Sequence, residues 1–388
     1  MKAEFDAAIV GAGPAGSSAA IELARGGRSV VLLEKDRFPR DKVCGEFLSP
    51  EANADLARWG VAARLEEEAV ERIVRGAFFF ERGRTVAFPL PRPASGISRR
   101  LLDSRLAEEA AASGADVRFE RKVESIDGSP AEGFSVRIEG ERPVTARAVL
   151  AAWGRWSPLD RAFGRAFATR TRGRFFGWSR HDAGDSSHLA GRIHLHFFRG
   201  GYCGLSRVEG GVVNFAGVVA EKELRRRLGT ADEGSGGWER FLAALVEDEP
   251  RLRADLAPLH PVREVLGTSA VFFERHSPAF GGVLGVGDAA GIRDPFTGDG
   301  QATAIRGGVV AARSVEAFLR GEVGAESLER SYRETWRREF GAPFTWDGVF
   351  RRALFSTAAR RLLLPIALPL VRAGIARTRV PDPRPATD

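Results

Sequence analysis

The sequence predicts an α/β fold with an α+β second domain: a parallel-sheet unit, an antiparallel-sheet unit inserted into it, and a helical C-terminus. Three observations carry this. The chain opens on a strand, a glycine-rich turn, a helix and a second strand within its first 34 residues. Its middle changes to short strand-like runs separated by glycine turns. Near residue 283 a strand, a glycine-rich turn and a helix return.

At about 150 residues per domain, 388 residues make two or three units. With 44% hydrophobic and 28% charged residues the chain is globular and long enough to bury a large core. Two cysteines, Cys44 and Cys203, form neither a disulfide framework nor a structural zinc site, which takes four ligands. A reducing cytoplasm is the default compartment. The net charge of +7 raises nucleic acid as a partner, but the arginines are spread along the chain with acids between them. Basic runs are short, as in Arg225-Arg226-Arg227. An anionic cofactor or a membrane surface accounts for the excess as well, and no nucleic-acid partner is expected. The N-terminus has a short apolar run without a cleavage site, so it does not read as a signal peptide. No run of 18 apolar residues predicts a transmembrane helix.

Ala7–Val10 is a short apolar run, as in a buried parallel strand. Gly11, Gly13 and Gly16 follow as G-x-G-x-x-G. The first allows the turn, the second lets backbone approach a pyrophosphate, and the third lets helix and strand pack closely. The helix N-terminus offers free N–H groups and partial positive charge to phosphate. Ser29–Leu33 is the second strand. Glu34 stands at its end, 18 residues after Gly16, where a carboxylate accepts hydrogen bonds from a ribose diol. Strand, turn, helix and acid together predict a Rossmann-like dinucleotide site. The glycines alone do not separate FAD from a nicotinamide nucleotide.

The helix from Ile97 carries Leu101, Leu102, Leu106 and Ala110 on one face and closes at Gly114. Strands are predicted at Val123–Ile126, Phe134–Ile138 and Ala146–Ala152, with Asp127-Gly128 and Glu139-Gly140 as turns. The character changes from about Phe163 to Phe273. Three strand-like runs follow His188, with Glu209-Gly210-Gly211 as a hairpin signal. Glu221–Glu247 reads as helix, broken by a flexible stretch at Thr230–Gly237. Val283–Val286 is a buried strand ended by Gly287-Asp288. Pro295–Gly300 is a glycine-rich turn, and Gln301 opens a helix with small residues on one side.

Four segments in order, GAGPAG, RDKVCGEFLSP, ISRRLLD and GDAAGIRDPFTGDG, resemble the FAD-dependent oxidoreductases of the p-hydroxybenzoate hydroxylase fold. Among these the chain is nearest to the geranylgeranyl reductase-like and halogenase-adjacent branch. The resemblance spans residue 4 to about 345 and implies FAD. It implies that Gly11, Gly13, Ala15 and Gly16 cradle the pyrophosphate and that Glu34, beside Lys35, holds the adenosine ribose. It implies cofactor contacts for Arg40, Lys42, Cys44 and Gly45, for Arg99 four residues before Asp103, and for Val123. Asp288 matches an aspartate that bonds the ribityl chain. Pro295, Thr297, Gly298, Asp299 and Gly300 match the loop that meets the flavin, and the helix that follows favours negative charge on the reduced ring. The implied FAD-binding domain is discontinuous, 1–70, 97–162 and 275–345; 71–96 and 163–274 form the substrate domain, and 346–388 a helical tail.

The chain also departs from the pattern. Where hydroxylases carry Asp-Gly it reads AAWGRWSPLD, with Trp153 before Gly154. The usual nicotinamide docking is thereby in doubt, and NADPH or NADH would serve as a transient electron donor. WGRWSP differs from the halogenase W-x-W-x-I-P in spacing and ending, and no lysine stands in a halogenase context. The reductases' Tyr-x-Trp-x-Phe-Pro strand reads GYCGLS here. Tyr202 stays, while Gly204 and Ser206 replace Trp and Phe, which enlarges the pocket roof. The substrate is therefore expected to differ from the reductases' prenyl chain. Alternation puts Tyr202, Gly204 and Ser206 on one face, with Cys203 and Leu205 on the other.

Cys44 reads as a small residue lining the flavin cavity, with a redox or gating role as the alternative. His194 and His196 share one strand face. With no third and fourth ligand close by, they read as substrate-lining or solvated rather than metal-binding, and no metal is expected. Cys44, Tyr202, His194 and His196 are the pocket candidates, with no catalytic acid or base assigned. RRALFSTAARRLLLPIALPLVRAGIARTR is basic, apolar and broken by Pro365 and Pro369. It reads as a helix packed on the body or as a peripheral membrane or partner-docking segment. The last residues, VPDPRPATD, are expected to be disordered. The expected enzyme is a flavin monooxygenase of the hydroxylase type, acting on a lipophilic or aromatic small molecule in secondary metabolism. The alternatives are an FAD-dependent ene-reductase or dehydrogenase and, in a different class, a flavoprotein that docks an acidic carrier through its basic surface.

Overall fold

The computed structural model describes residues 3–80, 83–155, 157–165, 175–229, 236–268, 276–355 and Arg379. Most of the basic C-terminal segment and all of VPDPRPATD, like most of the stretch Thr230–Gly237, lie outside the described residues.

Two sheets form among the described residues. The first runs in the order Ala279–Phe280, Val283–Gly285, Val144–Ala151, Phe5–Val10, Val30–Leu33, Asp116–Arg118. Every pairing from Val283–Gly285 to Asp116–Arg118 is parallel. Such a sheet needs cover on both faces, which is why its strands read as continuous apolar runs. Ala7 and Ile9 point into one core with the helices Pro14–Arg25, Arg99–Ala112 and Gly300–Leu319. Ala8 points the other way, into a core closed by the hairpin Val123–Ser129 and Gly133–Ile138.

The second sheet runs Leu259–Pro261, Phe175–Gly184, Val213–Ala220, Gly201–Arg207, Arg192–Phe198, Glu71–Phe79, Thr85–Gly96, Phe47–Leu48. It is antiparallel except where Arg192–Phe198 meets Glu71–Phe79. One face is covered by the helices Gly237–Asp248 and Pro250–Leu256, over Trp178, Phe198, Cys203 and Phe215. The other carries Phe78, Phe88, Phe197 and Tyr202, with Phe296 packed on them from outside the sheet.

Two contacts fix the helices at the future site. The small-residue side of Gly300–Leu319 lies on Pro14–Arg25 backbone to backbone: a Cβ added at Gly308 would fall 2.3 Å from the Ala15 carbonyl oxygen. The helix Leu328–Phe355 is tied to the first sheet by the buried Tyr332 hydroxyl, which donates to the Gly285 carbonyl at 2.7 Å.

Candidate functional site

The glycine turn is built from backbone contact. Gly11 has φ +107°, and an added Cβ would fall 2.4 Å from the Ala152 carbonyl oxygen; at Gly16 it would fall 1.9 Å from that of Gly11. Both positions exclude a side chain. Gly13 caps the helix that starts at Pro14 without a side-chain hydrogen bond, which leaves its first N–H groups free for an anion. Ala15 is buried in the same turn. Glu34 is buried and aimed by two backbone donors: Ala12 N–H gives to Oε2 at 2.8 Å and Asp36 N–H to Oε1 at 3.0 Å. Lys35 points outward beside Asp36. Arg121 N–H donates to the Glu34 carbonyl, which brings the segment leading to Val123 alongside.

The loop RDKVCGEF collects positive charge where a cleft for an anionic cofactor is expected. Arg99 holds Asp103 through two hydrogen bonds of 2.7 Å, one helical turn apart, and Arg40 donates to the same carboxylate at 2.8 Å. Lys42 adds a third cation. Its side chain is solvent-exposed, with protein atoms packed closely around it. This enclosure, then Arg99 and Arg40, lowers its pKa to about 8. The Nε of Arg40 is buried without a hydrogen bond, and only an Asp36 oxygen lies 3.4 Å away.

Cys44 and Glu46 tie this loop to the second sheet. Cys44 Sγ accepts from Gln301 Nε2 at 3.1 Å and from Glu46 N–H at 3.4 Å. The Cys44 carbonyl accepts from Asn214 Nδ2 at 2.9 Å. Glu46 sits at φ +52°, a conformation uncommon outside glycine, and its buried carboxylate meets His181 Nε2 at 2.8 Å. His181 and Asn214 are direct cross-strand partners. Sequence reasoning missed Glu46, His181, Asn214 and Gln301, because their partners lie more than a hundred residues away.

The second strand–turn–helix unit completes the cleft. Asp288 is half exposed in a short turn, with Arg155 Nε 3.7 Å away. Asp294 caps Pro295–Thr297 by accepting from Phe296 N–H at 3.1 Å. Gly298 has φ +70° and lies against the Phe47 ring. Asp299 is fully buried; burial raises its pKa to about 6, against the pull of Arg379 and Arg293. Arg379 reaches both Asp299 and Glu51 and so touches this loop. Neither Gly45 nor Gly300 has a positive φ, and a Cβ added at either meets open space. Among the described residues nothing requires glycine at either position; a molecule lying against the backbone would. Gln301 Oε1, in the first turn of the helix, is buried without a hydrogen-bond partner.

Tyr202 stands on the face of the second sheet that looks toward this loop. Phe296 packs 5.6 Å from Tyr202, 5.6 Å from Phe197 and 5.7 Å from Phe78. Burial holds the Tyr202 phenol well above its usual pKa, so it stays protonated. His194 and His196 do not line this wall. They pair directly with Leu205 and Cys203, whereas Tyr202 pairs with Phe197. The period of two therefore turns both imidazoles to the opposite face. There His194 Nδ1 and His196 Nε2 lie 2.7 and 2.9 Å from Asp255 Oδ2. Burial opposes charge on Asp255, but the imidazole hydrogen bonds outweigh it and hold the carboxyl below its usual range. The third group that the histidine pair lacked in sequence lies about sixty residues further on. Trp153 donates from Nε1 to Asp160 at 3.2 Å, so the position that holds an acid in the hydroxylases holds an indole bound to an acid.

A side-chain-free turn, an uncapped helix start, a cationic cleft and two unexplained glycines fit an elongated anionic dinucleotide. The FAD binding domain family matches residues 4–190. Menaquinone reductase of Mycolicibacterium smegmatis is 30% identical over 95% of this chain and 86% of its own length. Digeranylgeranylglycerophospholipid reductase 2 of Methanopyrus kandleri is 28% identical over 96% of this chain and 92% of its own. Among solved structures, a geranylgeranyl bacteriochlorophyll reductase-like protein from Thermoplasma acidophilum superposes with a TM-score of 0.77 at 19% identity, over 96% of this chain and 95% of that one. The flavin-dependent brominase Bmp2 gives 0.78 at 18% identity, over 96% and 93%. The chain belongs to the FAD-dependent oxidoreductases that carry this FAD binding domain. Among its described residues, no helix is long and apolar enough to cross a membrane.

Proposed function

We propose that the protein is an FAD-dependent reductase of an unsaturated, lipophilic small molecule. The observation that carries this reading is the contact between the loop around Phe296 and the aromatic wall of Phe78, Phe197 and Tyr202. It sets an apolar surface beside the loop assigned to the flavin. Sequence alone put hydroxylation first. Two relatives matched over nearly their whole length carry reductase names, and Trp153 replaces the hydroxylases' aspartate; both support the alternative.

FAD, when bound, supplies hydride transfer between an electron donor and the substrate. The chain's own residues supply placement. The Gly11–Gly16 turn and the free N–H groups that follow Pro14 in the first turn of the helix hold the pyrophosphate, and Glu34 the adenosine ribose. Lys42, Arg40 and Arg99 balance negative charge in the cleft. Asp288 takes the ribityl chain, and the helix start at Gly300 favours negative charge at the ring. Phe296, Phe197 and Phe78 exclude water and hold the apolar substrate. Tyr202 keeps its proton and so offers a hydrogen-bond donor rather than a charge. NADPH or NADH is the proposed transient donor.

The test is anaerobic. Photoreduced holoenzyme is mixed with a menaquinone or a geranylgeranyl compound without O2, and flavin absorbance is followed. Reoxidation with stoichiometric substrate reduction supports the reading. Substrate oxygenation that needs O2, with no anaerobic turnover, overturns it.

A further inference from the structure

We propose that His194, His196 and Asp255 bind one divalent transition-metal ion of the zinc class, on the face of the second sheet turned away from the flavin loop. The ligands come from separate elements. His194 and His196 stand two apart on Arg192–Phe198, and Asp255 stands on the helix Pro250–Leu256 that covers the strand. Their ligand atoms, His194 Nδ1, His196 Nε2 and a carboxylate oxygen, all lie within 4.8 Å of one another. Two imidazoles and a carboxylate are a ligand set found in zinc sites, with metal–ligand distances of about 2.0–2.2 Å. Tetrahedral placement at that distance needs ligand atoms roughly 3.4 Å apart. The 2.7 and 2.9 Å separations would open by only a fraction of an ångström.

A further imidazole stands beside these three ligands and holds the helix that carries Asp255. Three of the chain's six histidines gather at this one carboxylate. His188, on the turn Ser187–Leu189, places Nε2 3.1 Å from the Asp255 carbonyl oxygen and 3.9 Å from its Oδ1. The rings are also held before any ion arrives. His196 stacks on Phe79 at 4.6 Å and 11°, and His194 meets the same ring edge-on at 5.0 Å. Imidazole-rich sets favour zinc, copper and nickel over magnesium and calcium.

The location assigns the ion its role. His196 is next to Phe197 in the chain, and Phe197 lines the aromatic wall on the other side of the sheet. An ion here braces the strand behind that wall and touches neither substrate nor flavin. It joins strand, helix and turn, the three elements that a hydrogen-bonded cluster alone would hold more weakly.

The full-length holoprotein is freed of metal with a chelator, then titrated with zinc chloride in competition with a chromophoric chelator. The expected result is about one zinc per chain and a melting temperature raised by several degrees. Asp255→Asn and His194→Ala are expected to lose both effects and to keep the flavin absorbance, which reports an intact fold. X-ray absorption at the zinc edge of the loaded wild type needs no variant, and two imidazoles in the shell are expected. No zinc uptake by the wild type, uptake unchanged in both variants, or a shell without imidazole overturns the proposal and leaves a hydrogen-bonded cluster.

Discussion

The Glu46 carboxylate lies 2.8 Å from His181 Nε2, and both side chains are buried. The pair joins the loop that lines the cationic cleft to the sheet that carries the aromatic wall. Glu46 Oε1 also accepts from Arg99 N–H at 2.9 Å, so removing His181 unpairs only the other carboxylate oxygen. His181→Ala is expected to cost about 1–3 kcal/mol in urea unfolding, the range for leaving a buried hydrogen-bonding group unpaired. Glu46→Gln keeps a hydrogen-bonding group and is expected to cost clearly less. Equal losses in the two variants would count against the hydrogen bond as the source of the loss.

Gly45 and Gly16 separate a cofactor effect from a folding effect. A Cβ at Gly16 collides with the Gly11 carbonyl, so Gly16→Ala is expected to disturb the turn itself. A Cβ at Gly45 meets open space. Gly45→Ala is expected to change stability without FAD by no more than about 0.5 kcal/mol, the range of surface changes, yet to weaken FAD binding at least tenfold. Unaltered FAD affinity in Gly45→Ala would place the flavin elsewhere.

Lys42 gives two pH dependences of opposite sign. Its pKa is lowered to about 8, while an unfolded lysine titrates near 10.4. Between those values the unfolded chain holds more protons, so the FAD-free fold gains stability as pH rises through that window. FAD is anionic and favours the ammonium form. Above pH 8 the free protein has lost that proton and must recover it on binding, so affinity falls by up to tenfold per pH unit. Lys42→Met is expected to flatten both profiles. Persistence of the affinity slope in the variant would assign it to another group.

Phe296 belongs to the loop assigned to the flavin, but its ring packs on the substrate wall. Phe296→Ala is expected to raise KM for an apolar substrate by about tenfold, equivalent to about 1.4 kcal/mol. The flavin spectrum and FAD affinity should stay as they are. A spectral shift without a KM change would make Phe296 a flavin contact instead.

The parts of this site that the sequence exposes are local ones. Gly11 to Glu34 can be read because strand, turn, helix and acid follow within one βαβ unit, where spacing maps directly onto geometry. The alternation around Tyr202 is equally local, and it placed Cys203 and Leu205 on the far face. It did not place His194 and His196, because the register between neighbouring strands decides which of their faces coincide. Asp255 and His181 were hidden for a related reason. Each completes a polar cluster through tertiary contact, and a carboxylate on a short helix or an imidazole in a strand carries no periodic signal. Trp153 was visible as a departure, but its bond to Asp160 was not.

The contact of Gly308 with Ala15 also bears on ligand length. The helix starting at Pro14 and the helix starting at Gly300 touch without intervening side chains, so the spacing between their N-termini cannot adjust. With the pyrophosphate and the flavin ring at the two ends proposed for them, the two helices act as a fixed gauge. A mononucleotide such as FMN would engage only one end, so the protein should discriminate cofactors by size before it recognises any base.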